Sequence, residues 1–176
     1  MRGCGAQRIG RLLLAGIAFC AITPPLGQAV EMVNDPKGFQ NIAWGSLLHT
    51  RQDIEITRAG SHVNEYRLKN GVTSFAGVPV ESIRLLSVDN QFARVTIRYR
   101  GDQTNKEIVA HLEQQFGHLD RLPGQMMRGL NQQYNWRGTE TEINVTYHAN
   151  SEQGFVFIDS RTLAPRFNDL LGDTVD

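Results

Sequence analysis

Three groups of residues in this sequence have types and spacings that could do chemistry. Arg94, Arg98 and Arg100 alternate with Val95, Ile97 and Tyr99. On a strand they would stand on one face together with Thr96, because successive side chains point to opposite sides. Such a row can grip an anion, with Arg94 and Arg98 as its centre. It can equally be a solvated strand face, paired across the sheet with acids such as Glu142. The second group is Met126-Met127-Arg128-Gly129-Leu130-Asn131, followed by Tyr134 and Trp136. Met, Arg, Tyr and Trp are the residues enriched where proteins bind partners. Met127, Arg128, Tyr134 and Trp136 are therefore the candidate partner surface. The competing account has Met127, Leu130 and Trp136 covering a sheet edge or a helix end.

The third group is the histidines: His49, His62, His111, His118 and His148. A zinc site wants three or four ligands, usually with some closely spaced on one element. No two of these stand four residues apart, so no metal site is expected. His148 or His111 with Glu142 or Glu140 could support acid–base catalysis, but only residue type points that way. The sequence holds no Gly-x-Ser-x-Gly elbow, phosphate-binding loop, His-Glu-x-x-His pair or dinucleotide fingerprint. We assign no catalytic residue and no cofactor.

Composition narrows the setting. The chain has 176 residues, 18 basic and 18 acidic. The balance is uneven along it, because residues 1–29 carry three arginines and no acid, leaving 15 basic against 18 acidic beyond. A mildly acidic body lacks the basic footprint of a nucleic-acid binder. Hydrophobic content of 40% is too high for a disordered chain. No apolar run reaches the roughly 18 residues that cross a bilayer.

Residues 1–29 have the layout of a secretory signal peptide. Arg2, Arg8 and Arg11 form a basic start, and Leu12 to Ile22 is an uncharged, mostly apolar stretch. Thr23-Pro24-Pro25 then breaks any helix, and Gly27-Gln28-Ala29 offers small residues for cleavage after Ala29. The expected location is the periplasm or the exterior. Both cysteines, Cys4 and Cys20, fall in this segment. Lipidation at Cys20 would want a small residue before it, and Phe19 is bulky. The rest of the chain must hold together by its core, without disulfides.

The remaining 147 residues, 30–176, read as one α+β domain, ordered over about 38–172. Phe39, Ile42 and Trp44 are expected to pin the lead-in onto the core, and Ser46 to cap a turn through Leu47 and Leu48. Strands are expected around Ile54–Ile56 and Val63–Leu68, the latter returning at Val72–Phe75 after an Asn70-Gly71 turn. A second hairpin joins Val78–Val88 to Phe92–Tyr99. Parity puts Ile83 and Leu85 on the face of Ala93, Val95 and Ile97, with Val88 opposite Phe92 and Asp89-Asn90-Gln91 as the loop. Thr104-Asn105-Lys106-Glu107 resembles a capping box. It opens a helix of about 12 residues with an apolar stripe of Ile108, Val109, Leu112 and Phe116, ended by Gly117. Tyr134–Arg137 and Thr141–His148 form a further hairpin. Gly154–Ile158 is a strand apolar on both sides and so expected to be covered on both. Pro165 opens a short C-terminal helix with Phe167, Leu170 and Leu171, closed by Gly172. The sum is an antiparallel, hairpin-rich sheet with one main helix packed on a face.

The run Gly38-Phe39-x-x-Ile42-x-Trp44-Gly45, the later helix ending Phe116-Gly117, and the Trp136 strand followed by Thr141 to Tyr147 resemble a loose group of exported bacterial proteins with a G-F-x-x-I-x-W-G entry motif. The resemblance covers Gly38 to about Arg161. It implies an envelope location and a single domain, and it carries no activity. The helix that follows the motif in the group is reduced here to Leu47-Leu48-His49-Thr50. With no catalytic constellation, the sequence reads as a non-enzymatic binding or accessory module with an envelope protein partner. The alternative is a small anionic-ligand protein using the arginine-lined face or a pocket, and a hydrolase ranks third.

Overall fold

A computed structural model describes residues 30–69, 71, 73–119 and 131–172. In chain order the strands are β1 (Val30–Glu31), β2 (Gly38–Phe39), β3 (Ile42–Ala43), β4 (Ile54–Arg58), β5 (Val63–Leu68), β6 (Ser74–Phe75), β7 (Val78–Pro79), β8 (Ser82–Val88) and β9 (Gln91–Arg100). Helix α1 (Asp102–Phe116) follows, then β10 (Asn131–Arg137), β11 (Thr141–His148), β12 (Gln153–Ser160) and helix α2 (Pro165–Gly172). Eight strands make one sheet in the order β1-β10-β11-β12-β9-β8-β5-β4. Every neighbour in it is antiparallel except β1, which runs parallel to β10. The described residues are mainly β, with a large antiparallel sheet, one main helix and one short one. Among the described residues no helix is long and apolar enough to cross a membrane.

Helix α1 carries the chain from β9 to β10, and the β10–β11–β12 meander brings it back beside β9. Ile108, Val109 and Leu112 join Leu85, Val95, Ile97, Ile143, Val145 and Val156 in one buried core. The inner face therefore holds the alternate residues of four central strands. Both ends of α1 are tied to the sheet. Tyr99 Oη donates to Asn105 Oδ1 at 2.7 Å in the interior, and Trp136 Nε1 donates to the Gly117 carbonyl at 2.8 Å. The last carbonyls of the helix have no intrahelical partners. The Val33 N–H takes that of Phe116, and the Asn34 side chain takes that of Gln115.

The lead-in is pinned as expected. Phe39 and Ile42 are buried, and Trp44 packs on Phe92 with ring centroids 4.7 Å apart. Gln40 and Asn41 both have positive φ and make the two-residue turn between β2 and β3. Gly38 is required there, because a Cβ on it would lie 2.0 Å from the Ile42 carbonyl oxygen. Ser46 does not cap the short 3-10 turn Leu48–Thr50; its hydroxyl donates back to the Ala43 carbonyl.

Three further sequence expectations need correction. The helix begins at Asp102, two residues before Thr104, with Gly101 at its N-cap and no side-chain cap bond. Thr104 and Glu107 are thus not a capping box. Instead Asp102 pairs with Lys106, and Gln103 with Glu107, each across one turn. Second, Ser74–Phe75 does not return along β5 but pairs with Val78–Pro79, while β5 takes β4 and β8 as neighbours. Asn70 and Val72 lie outside the described residues. Third, the β8–β9 turn has two residues, Asp89 and Asn90, both at positive φ, and Val88 faces Gln91. An irregularity at Leu86/Ser87 then absorbs Ala93, so that Leu85 faces Val95 and Ile83 faces Ile97 as parity requires. Ala93 itself leaves the inner core. It joins Val88, Ala164 and Phe167 in a second cluster where α2 rests against the outer face.

Candidate functional site

The outer face of β9 and β12 is the part of the sheet where polar and aromatic chemistry gathers. The ladder places Arg94 opposite Asp159, Thr96 opposite Phe157, Arg98 opposite Phe155 and Arg100 opposite Gln153. On the far side of β12, Phe157 faces Asn144 and Phe155 faces Thr146. All of these side chains share one face because they share one parity. Phe155 and Phe157 stack at 6.1 Å with their planes 13° apart. Both are half-buried, and they belong to neither hydrophobic cluster. The expectation that β12 is covered on both sides is met only in part on this face: Asp159 is buried beneath Arg94, whereas Phe155 and Phe157 are partly exposed.

Arg94 is committed to structure. Its Nε and Nη2 donate to the two Asp159 oxygens at 2.6 and 3.0 Å. Its guanidinium also lies 5.7 Å from the Phe157 ring centroid and 5.0 Å from that of Phe167. Burial pushes the Asp159 carboxyl above its ordinary value, and the Arg94 bonds offset only part of this. Asp159 and Arg94 thus tie α2 to the sheet.

Arg98 and Arg100 are arranged differently. Both reach Glu81, which stands at the entry to β8: Arg100 Nε donates to Oε1 at 3.1 Å, and Arg98 Nε lies 2.7 Å from Oε2. The Arg98 N–H is off the line to that oxygen, and its buried Nε has no hydrogen-bond partner. Oriented by its neighbours, the Gln153 amide turns its oxygen toward both guanidinium groups, 3.0 Å from Arg100 Nη2 and 3.1 Å from Arg98 Nη2. One carboxylate and one neutral amide therefore hold two cations. Their side chains remain 43% and 51% exposed. Arg84, on the same face, pairs with Glu65 at 3.0 Å.

Of the expected partner surface of Met127, Arg128, Tyr134 and Trp136, the two aromatic members are not exposed. Tyr134 and Trp136 are core residues, with Trp136 fully buried against α1 and its indole N–H taken by Gly117. They stand opposite Val145 and Ile143 on the inner face, which is the physical reason they point inward. Met127 and Arg128 lie outside the described residues. Tyr134 instead adjoins a buried polar chain: Tyr99 bonds Asn105, Asn105 Nδ2 donates to Gln132 Oε1 at 3.1 Å, and Tyr134 Oη donates to the same oxygen at 3.0 Å. Burial pushes the Tyr99 hydroxyl well above its ordinary value.

The described histidines are dispersed. His62 Nδ1 meets Asp89 Oδ1 at 2.9 Å, His148 Nδ1 meets Asn131 Oδ1 at 2.7 Å, and His111 sits edge-on to Phe75. Among the described residues no cluster of three or more His, Cys, Asp or Glu could hold a metal ion. Sequence reasoning missed Gln153, Glu81, Phe155 and Phe157 as site residues. Only the two phenylalanines carried a signal, as apolar residues on the second side of β12. No family model matches the chain, and no characterised protein or solved structure shows a significant match to it.

Proposed function

We propose that this chain is an exported, single-domain α+β binding module that acts without catalysis and meets an envelope partner through the outer face of β9, β11 and β12. One observation carries the reading: Phe155 and Phe157 form a stacked, only partly buried pair outside both hydrophobic clusters. Apolar area left in water in the middle of a sheet face is area a partner can cover. Thr96, Asn144 and Thr146 flank the pair and supply hydrogen-bonding groups around an apolar centre, the layout of a binding patch. The acids and histidines nearby are engaged in structural pairs, which supports binding rather than bond-breaking chemistry. The basic start, apolar run and small-residue site of residues 1–29 support export.

Photo-crosslinking in intact cells tests this. A benzophenone amino acid in place of Thr96 or Thr146 is expected to give a discrete high-mass adduct. The same probe in place of Ala110, exposed on α1, is expected to give none. Adducts of the same pattern from Ala110, or none from Thr96 and Thr146, would overturn the reading.

A further inference from the structure

We infer that Arg98 and Arg100 form a carboxylate site, in which a ligand carboxylate displaces the Gln153 amide and takes the two N–H donors that now share its oxygen. This rests on the outer face being the binding face and names the group it recognises.

The argument starts from charge. Two guanidinium groups within hydrogen-bond reach of one amide oxygen repel each other, and Glu81 neutralises only one of them. The pair is nevertheless held in place. Arg100 is fixed by Glu81 on one side and donates its Nη1 to the Ser151 carbonyl at 3.0 Å on the other. Arg98 is held beside Glu81 with its Nε–H unsatisfied. The rotamer entropy of two long side chains is thus already spent before any ligand arrives, which is the main cost of such a contact. The position bridging both Nη2 atoms is filled by a neutral oxygen. An ionised acceptor adds a charge–charge attraction that a neutral amide oxygen lacks, and a carboxylate can take arginine donors in a bidentate pair. A carboxylate at that position gains on both counts: it has two oxygens for two donors, and it cancels the surplus charge. Glu81 already shows that one flat carboxylate can span both arginines from the Nε side. Phe155 stands directly across from Arg98, so the body of the ligand next to its carboxylate meets an aromatic surface. The ligand class is therefore an organic carboxylate bearing an apolar or ring group.

Benzoate, acetate and inorganic phosphate are the probes, and the Nε–Hε resonances of Arg98 and Arg100 in the 15N-labelled protein are the readout. Benzoate is expected to shift both resonances saturably, with a dissociation constant of about 1–10 mM, as suits one bidentate contact. Acetate is expected to bind several-fold more weakly. Gln153→Glu supplies the carboxylate internally and is expected to weaken benzoate at least ~10-fold while the far-ultraviolet spectrum is unchanged; Gln153→Ala, which removes the competing amide, is expected to keep or tighten it. Absence of a saturable shift, a phosphate response equal to that of benzoate, or full benzoate binding in Gln153→Glu would overturn the inference. Failure here with the Thr146 adduct intact refutes the carboxylate site and leaves the binding face standing. Benzoate binding without an adduct at Thr96 or Thr146 refutes the docking face alone.

Discussion

Replacing Gly154 with alanine tests how α1 is registered on the sheet. Gly154 lies on β12 opposite Tyr99 of β9, and the Tyr99 ring crosses directly over it. A Cβ at Gly154 would lie 2.0 Å from Tyr99 Cζ and 2.5 Å from its hydroxyl oxygen. The ring must therefore move, and it is fully buried and stacked on Tyr147 at 6.4 Å. Moving it costs about 1–3 kcal/mol in overpacking and off-rotamer strain. It also breaks the bond to Asn105, whose buried carbonyl oxygen then loses its donor at a further cost of about 1–3 kcal/mol. Gly154→Ala is thus expected to destabilise by about 2–5 kcal/mol in urea unfolding, against an intrinsic gain of about 0.5–1 kcal/mol for removing a strand glycine. Tyr99→Phe isolates the hydrogen bond and should cost about 1–3 kcal/mol. In a Tyr99→Ala background the clash is gone, so Gly154→Ala should be neutral or stabilising. A Gly154→Ala protein within about 0.5 kcal/mol of wild type, or additive effects in the double mutant, would refute the account.

Leu112→Ala, at the centre of the buried stripe, should cost about 2–5 kcal/mol by thermal or urea melts, whereas Thr104→Ala should stay within about 0.5 kcal/mol because its side chain makes no cap. A Trp44→Phe protein leaves Trp136 as the sole tryptophan; its emission should be blue-shifted and resist iodide, and free quenching would contradict its burial. Carboxyl 13C titration should separate two aspartates. Burial raises Asp159, so the stability its proton supplies is complete below the unfolded chain's carboxyl range and is lost as pH rises through the folded value. The His62 hydrogen bond lowers Asp89, so its contribution is present above that range and is lost as pH falls through the folded value. Midpoints in the reverse order would show that the environments are misassigned.

The parts of the fold legible in the sequence are those set by local period. Alternation over Ile143, Val145 and Tyr147 places β11, and the stripe from Ile108 to Leu112 places the buried side of α1. Parity in the β8–β9 hairpin predicts the pairing of Ile83 with Ile97 although the turn differs, because the two-residue turn and the extra residue at Ala93 shift the register in opposite senses. The same parity in the next hairpin sets Trp136 opposite Ile143 and Tyr134 opposite Val145. Residue type alone suggests an interface for Trp and Tyr, and parity decides against it. Long-range choices were not legible. Nothing local tells β5 to pair with β4 and β8 rather than with the residues after Gly71. Nothing local brings Glu81 and Gln153, more than 70 positions apart, to the same two arginines.

The outer face of β9 divides its arginines by function. Arg94 has two carboxylate bonds and two aromatic rings around it, and its removal would strand the buried Asp159, so it holds α2 in place. Four and six positions further along the same strand, Arg98 and Arg100 face water, share one acid and border a phenylalanine that no cluster claims. A strand face built only for solubility would pair each cation with its own anion, as Arg84 does with Glu65. The unequal pairing at Glu81 leaves a fixed positive surplus beside an apolar surface, and that combination selects a ligand that is anionic at one end and apolar at the other.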